Sequence, residues 1–103
     1  MLAVLVRFEL KDEVAARRFD ALAEQIVTAV QEFEPETLIY AMHQVEGAPL
    51  SRIFYELYAS REAHRQHESA EYFTRAVAEL GQYVENTRVE FLDAPSGKVP
   101  LSV

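Results

Sequence analysis

The 103-residue chain contains no cysteine. That excludes a disulfide framework, a thiolate zinc site, an iron–sulfur cluster and a cysteine nucleophile. Lysine is scarce, with only Lys11 and Lys98, and 17 acidic against 10 basic residues leave a net charge of −7. Phosphate backbones and anionic lipid surfaces need clustered Lys and Arg, so neither nucleic acid nor a membrane is an expected partner. With only 3 Gly and 4 Pro but 11% aromatic residues, the composition argues against disorder. The apolar opening run, Met1–Val6, stops at Arg7 with no basic stretch before it, so no secretory signal is expected. No segment approaches the roughly 20 apolar residues of a membrane span. The expectation is a cytoplasmic protein with a single domain over residues 1–93 and an irregular tail over 94–103, where Pro95, Gly97 and Pro100 fall.

What is present is hydrophobic period. Leu2, Val4, Val6, Phe8 and Leu10 alternate as one apolar strand face. Asp12 caps a helix over 12–34 in which Ala15, Phe19, Leu22, Ile26, Ala29, Val30 and Phe33 form one buried stripe, and Pro35 ends it. Residues 37–45 and 52–59 read as strands joined through a loop at Glu46–Leu50. Ser60 caps a second helical stretch and Ser69 a continuation of it. Phe73, Ala76, Val77, Leu80 and Val84 form its stripe, and a last strand covers 87–93. The order β-α-β-β-α-β is that of the α+β ferredoxin-like fold, a four-stranded antiparallel sheet with helices on one face. Both faces of the third strand are largely apolar, through Ile53, Tyr55 and Leu57 on one side and Phe54 and Tyr58 on the other. Helices cover one sheet face only, so the other is expected to meet a second copy of the chain, giving a homodimer.

No phosphate loop, dinucleotide fingerprint or nucleophile elbow is present. The chemistry-bearing candidates are polar groups in apolar settings. His64 and His67 lie three apart on the second helical stretch, and either is a candidate proton acceptor. With a carboxylate such as Glu68 they also suggest a metal site, but the spacing does not specify which residue would be the third ligand. Glu56 sits mid-strand and is either paired with Arg7, Arg52 or Arg88 or placed in a pocket. Tyr40, Tyr55, Tyr58 and Tyr72 can line a pocket for a flat aromatic ligand or simply fill the core, and His43 is equally open. Glu32, Glu34 and Glu36 read as a solvated helix end.

The run RIFYELYASREAHRQHESAEYF, Arg52–Phe73, resembles the antibiotic biosynthesis monooxygenase family of dimeric α+β barrels. The resemblance is carried by Glu56 and Tyr58 on a strand, then Ala63 and His67 on a Ser-capped helix, then Phe73. Arg7-Phe8, the long first helix, Pro35 and Tyr40 fit the same pattern, so it covers roughly residues 2–93. It implies the sheet-to-sheet dimer and oxidation of a small aromatic quinol, anthrone or polyketide-like substrate by O₂ with no metal, flavin or other cofactor. In the anthrone oxidisers, a catalytic tryptophan, a tyrosine, an asparagine and an arginine fall on Tyr58, His64, Phe54 and Thr74, with Arg75 beside the last. The positions are shared and the residue types are not. In haem-degrading relatives the functional positions fall on Val6, His67 and Val77, and the iron ligand is missing. The resemblance turns Phe54, Glu56 and Tyr58 toward the helices. It implies His64, His67, Glu56 and Tyr58 as catalytic residues, with Phe54, Val6, Tyr40, His43, Tyr72, Phe73 and Val77 around the substrate. Rival expectations are an isomerase of small carbonyl compounds and a non-enzymatic dimeric ligand-binding or stress-response module.

Overall fold

In the computed structural model, which describes residues 1–99, strand β1 (Leu2–Leu10) leads into helix α1 (Glu13–Phe33), then strands β2 (Thr37–Val45) and β3 (Ala48–Tyr58). Helices α2 (Arg61–Ser69) and α3 (Glu71–Leu80) and a 3₁₀ turn at Gly81–Tyr83 precede β4 (Val84–Leu92). The strands lie in the order β2-β3-β1-β4, every neighbour antiparallel. This is the expected ferredoxin-like α+β arrangement, and within one chain the sheet is open.

Local chemistry sets the boundaries. Asp12 Oδ1 accepts from the Ala15 amide at 2.7 Å and starts α1, and Ser60 Oγ accepts from Ala63 at 3.1 Å and starts α2. Gly47, at φ +76°, makes the tight turn after Val45. β3 begins earlier than expected, at Ala48. Pro49 is tolerated because the register with β2 slips between Gln44 and Val45, so its missing N–H falls in an irregularity of the ladder. Ser69 is not a cap: its hydroxyl donates back to the Gln66 carbonyl at 3.2 Å, and the extended residue Ala70 starts α3 without a side-chain cap. Val84 belongs to β4 rather than to the helical stripe, because the 3₁₀ turn intervenes. Of the expected tail, residues 94–99 form no helix or strand, and 100–103 lie outside the described residues.

The core lies between the helices and the sheet face that carries Val4, Val6 and Phe8. Phe19, Ala23, Ile26 and Val30 of α1 pack there with Leu10, Phe54 and Leu80. Phe19 is wholly buried, its ring 5.1 Å from Phe8 and 6.3 Å from Phe54. Phe33, expected in this stripe, is instead 63% exposed and packs on Tyr72. At the core's edge the buried Arg52 guanidinium holds Asp20 through two bonds, at 2.8 and 3.0 Å.

Candidate functional site

Strand pairing puts Val4 opposite Glu56, Val6 opposite Phe54 and Tyr40 opposite Glu56, so the strands present these residues on the helix side together. Between that face and α2–α3 lies a cavity of about 550 Å³. Val4, Val6, Phe8, Phe54, Phe73 and Val77 contribute apolar wall, as do Val89 and Phe91 of β4. Tyr40, Glu56, His64, His67 and Glu68 contribute polar groups, as do Glu85, Asn86 and Thr87 of β4.

Glu56 is 6% exposed. It is ion-paired with none of the arginines considered for it, since Arg7 holds Glu9, Arg52 holds Asp20 and Arg88 holds Glu90. Its partner is Tyr58, whose hydroxyl donates to Glu56 Oε1 at 2.6 Å. Burial pushes the Glu56 carboxyl up to about 7, against the pull of that hydrogen bond, with Glu68 and Glu34 adding to the rise. The group is therefore poised near neutrality to hold or release a proton. Burial also raises Tyr58 and Tyr40, and the Glu56 charge adds to both.

His67 is almost fully buried, and its Nδ1 meets both oxygens of Glu34 at 2.9 Å. The same carboxylate accepts from the Tyr72 hydroxyl and from Thr37 Oγ1. His67 Nε2 has no hydrogen-bond partner although it is buried. An orphaned buried ring nitrogen costs about 1–3 kcal/mol and marks a group that a ligand could satisfy. Tyr40, Tyr58 and Phe73 surround the ring, the last at 4.2 Å. His64 packs edge-on to Tyr58 at 4.9 Å, with Glu68 at 3.7 Å from its Nδ1. Burial lowers its pKa, and Glu68 opposes that shift. The two histidines thus turn to different carboxylates, and among the described residues no group of three or more His, Asp or Glu side chains is arranged to hold a metal ion.

Three residues named from sequence sit elsewhere. His43 is exposed and pairs with Ile53 on the opposite sheet face, because it differs in parity from Tyr40 and Met42. Tyr72 borders a separate groove with Phe33, Glu34 and Thr37. Tyr58 lies behind the cavity wall, wholly buried, and acts on the cavity through Glu56. Glu34 is the residue that sequence reasoning missed. Far from a solvated helix end, its side chain is 12% exposed.

The model for antibiotic biosynthesis monooxygenases matches residues 1–79. The chain belongs to this family. Membership supports a monooxygenase-like activity in general terms, and β4, beyond the matched span, pairs with β1 in the same sheet. A Caulobacter crescentus structure that carries the family's name is 25% identical, with 92% of this chain and 90% of that one covered and a TM-score of 0.87. Another structure of the same family name is 26% identical over 93% of this chain and all of the other, at a TM-score of 0.82. A Mycobacterium tuberculosis protein, 22% identical over 94% of this chain and 96% of its own, shares the fold at a TM-score of 0.83. No curated protein matches the sequence. Among the described residues no helix is long and apolar enough to cross a membrane.

The raised carboxyl carries a prediction about stability. A carboxyl that binds its proton more tightly in the folded than in the unfolded chain destabilises the fold as it ionises. The Glu56 contribution is therefore full below its ordinary value of 4.5 and is lost as pH rises to about 7. Glu56→Gln keeps an acceptor for the Tyr58 hydroxyl and removes this dependence. Between pH 4.5 and 8 the variant should gain on the parent by about 3 kcal/mol, the linkage value of such a shift. Urea unfolding of both proteins across that range measures it. Parallel stability curves would show that Glu56 ionises freely.

Proposed function

We propose that the chain is a cofactor-independent monooxygenase that oxidises a small aromatic quinol or anthrone with O₂. The observation that carries this reading is the His67 imidazole, fixed at Nδ1 by Glu34 and unpartnered at Nε2, at the wall of an apolar cavity. Donation from Nδ1 to the carboxylate leaves the lone pair on Nε2, the form a general base needs, and Glu34 stabilises the imidazolium that follows. The substrate hydroxyl or acidic C–H gives its proton to Nε2. The resulting electron-rich anion reduces O₂, so the substrate is the sole electron donor. In an anthrone the ring methylene becomes a carbonyl. One oxygen atom stays on that carbon, and the other leaves as water with the two hydrogens. Tyr40 and Glu56 border the same space and can hold the ketone oxygen. The apolar wall keeps water from the anion.

Oxygen uptake by the purified protein with anthrones and dihydroxynaphthalenes, measured against autoxidation, tests the reading. Uptake above that control is expected, and none across the panel would reject it. Turnover of a small carbonyl compound at equal rates with and without air would instead establish the isomerase.

The active form in this proposal is a homodimer built on the open sheet face. Leu5, Ile39, Ile53 and Tyr55 leave apolar surface there, beside Arg7, Glu9 and Ser51, which bond to one another. Ile53→Asp would place a charge in that contact. Sedimentation should show the parent at twice its 11.8 kDa chain mass and the variant at the chain mass. A parent that sediments as a single chain would remove the dimer from the proposal.

A further inference from the structure

The charges around the cavity are of one sign. Glu56, Glu68 and Glu85 border it, and no lysine or arginine does. The arginines nearby are engaged elsewhere: Arg52 with Asp20 at the core's edge, Arg7 with Glu9 and Arg88 with Glu90 on the far sheet face. Arg61 and Arg65 lie on the exposed side of α2, and Arg65 is bonded to Glu62. The cavity's own basic groups are the imidazoles of His64 and His67, each facing a carboxylate of the protein, Glu68 and Glu34. Polar capacity is nonetheless ample. Nε2 of His67 lacks a partner, and the Tyr40 hydroxyl and Glu56 carboxyl border the space. A volume of about 550 Å³ suits a ligand of two or three fused rings.

We propose that this cavity selects uncharged aromatic hydroxy compounds and turns away counterparts bearing a carboxylate, sulfonate or phosphate. The inference deepens the functional reading and rests on the same cavity holding the substrate. A permanent anion entering this space loses its hydration, meets no cation to replace it and faces fixed carboxylates. A hydroxyl meets matched donors and acceptors at no such cost. A phenol deprotonated inside the cavity is a different case, because its proton stays beside it on the base and the pair remains neutral overall.

The test measures binding and so does not depend on turnover. 2-Naphthol, 2-naphthoate and naphthalene-2-sulfonate share one ring system and are followed by their own fluorescence in equilibrium dialysis near neutral pH. The two anions should bind weaker than the naphthol by about 100-fold or more, the scale of an uncompensated charge against like charge. A double variant Glu68→Gln, Glu85→Gln, altered at two exposed positions, should narrow that ratio. An anion that binds as tightly as the naphthol, or a naphthol that fails to bind, overturns the proposal. Selective binding without oxygen uptake would leave it standing and remove the oxygenase reading. Uptake with a sulfonated quinol as fast as with the neutral one would do the reverse.

Discussion

His67→Ala should lower the oxygen-uptake rate by about 10²–10⁴-fold, the usual contribution of a positioned general base. The loss should shrink as pH rises toward the ionisation of the substrate itself, because an anion that forms in solution needs no base. Added imidazole should restore part of the rate by entering the space the ring leaves. Glu34→Gln should come close to the same loss, although it changes one atom. A carboxamide can donate to Nδ1, which puts the ring proton on Nε2 and removes the lone pair from the cavity side. Glu34 is a positioning residue, since it touches His67, Tyr72 and Thr37 rather than the cavity. Tyr72→Phe and Thr37→Val each delete one bond to Glu34 and leave the imidazole contact in place, so they separate loss of the tautomer from general loosening. Steady-state oxygen consumption across pH decides the matter. Full activity in His67→Ala would remove it as the base.

Phe19→Ala should destabilise the fold by about 3–5 kcal/mol, the range for deleting a buried aromatic ring. The side chain is 0% exposed and forms one corner of a triangle with Phe8 and Phe54, whose own rings lie 5.8 Å apart edge to face. Strands on one side and a rigid helix on the other cannot close over the gap, so the cavity term remains. Against a total of about 5–15 kcal/mol for a chain of this size, the loss is a large fraction of the whole. Phe33→Ala on the same helix should cost less than about 1 kcal/mol, as expected for an exposed position. Urea unfolding of the two variants side by side checks both values. Equal losses would contradict the burial that distinguishes them.

These two phenylalanines also show where the sequence was legible. Period identified the face of α1 that turns inward, and Phe19 and Phe33 both satisfy it. It carried no information on which turns of the helix find tertiary partners, and Phe33 is left 63% exposed where Phe19 is fully buried. Strand alternation placed Phe54, Glu56 and Tyr58 on one face together, and the family resemblance, not the alternation, turned that face toward the helices. The same alternation separates His43 from Tyr40 and was sufficient to send His43 to the far face. Val84 fits a helical stripe and a strand face equally well, and only the intervening 3₁₀ turn decides between them. Ser69 had the right chemistry for a cap, but its hydroxyl found a nearer acceptor in the preceding turn.

The candidate site was half visible. His64, His67 and Glu56 stood out as polar groups in apolar settings, and they do border one cavity. What was not visible is that His67 meets Glu34. Glu34 lies 33 residues from His67 and 38 from Tyr72, and the proline after it pointed toward a solvated end. Its conformation as the residue that closes α1, at φ −124° and ψ 76°, turns it off the helical face. Such a contact depends on how α1, α2 and α3 stack, which no local pattern encodes.

The strand order has a kinetic consequence. Only β2 and β3 are neighbours in both sequence and space. β1, synthesised first, lies between β3 and β4 and pairs Leu2 with Tyr58 and Ala3 with Leu92. Its ladders therefore close only after loops of many tens of residues have been gathered, an entropic cost that comes before the contacts offset it. On the ribosome the β2–β3 hairpin can form early, while β1, even once paired with β3, keeps its other edge unpaired until β4 emerges. The apolar strand that ends as the protected centre of the sheet thus spends the longest time exposed during synthesis, and its alternation with Arg7 and Glu9 is the only charge it carries through that interval.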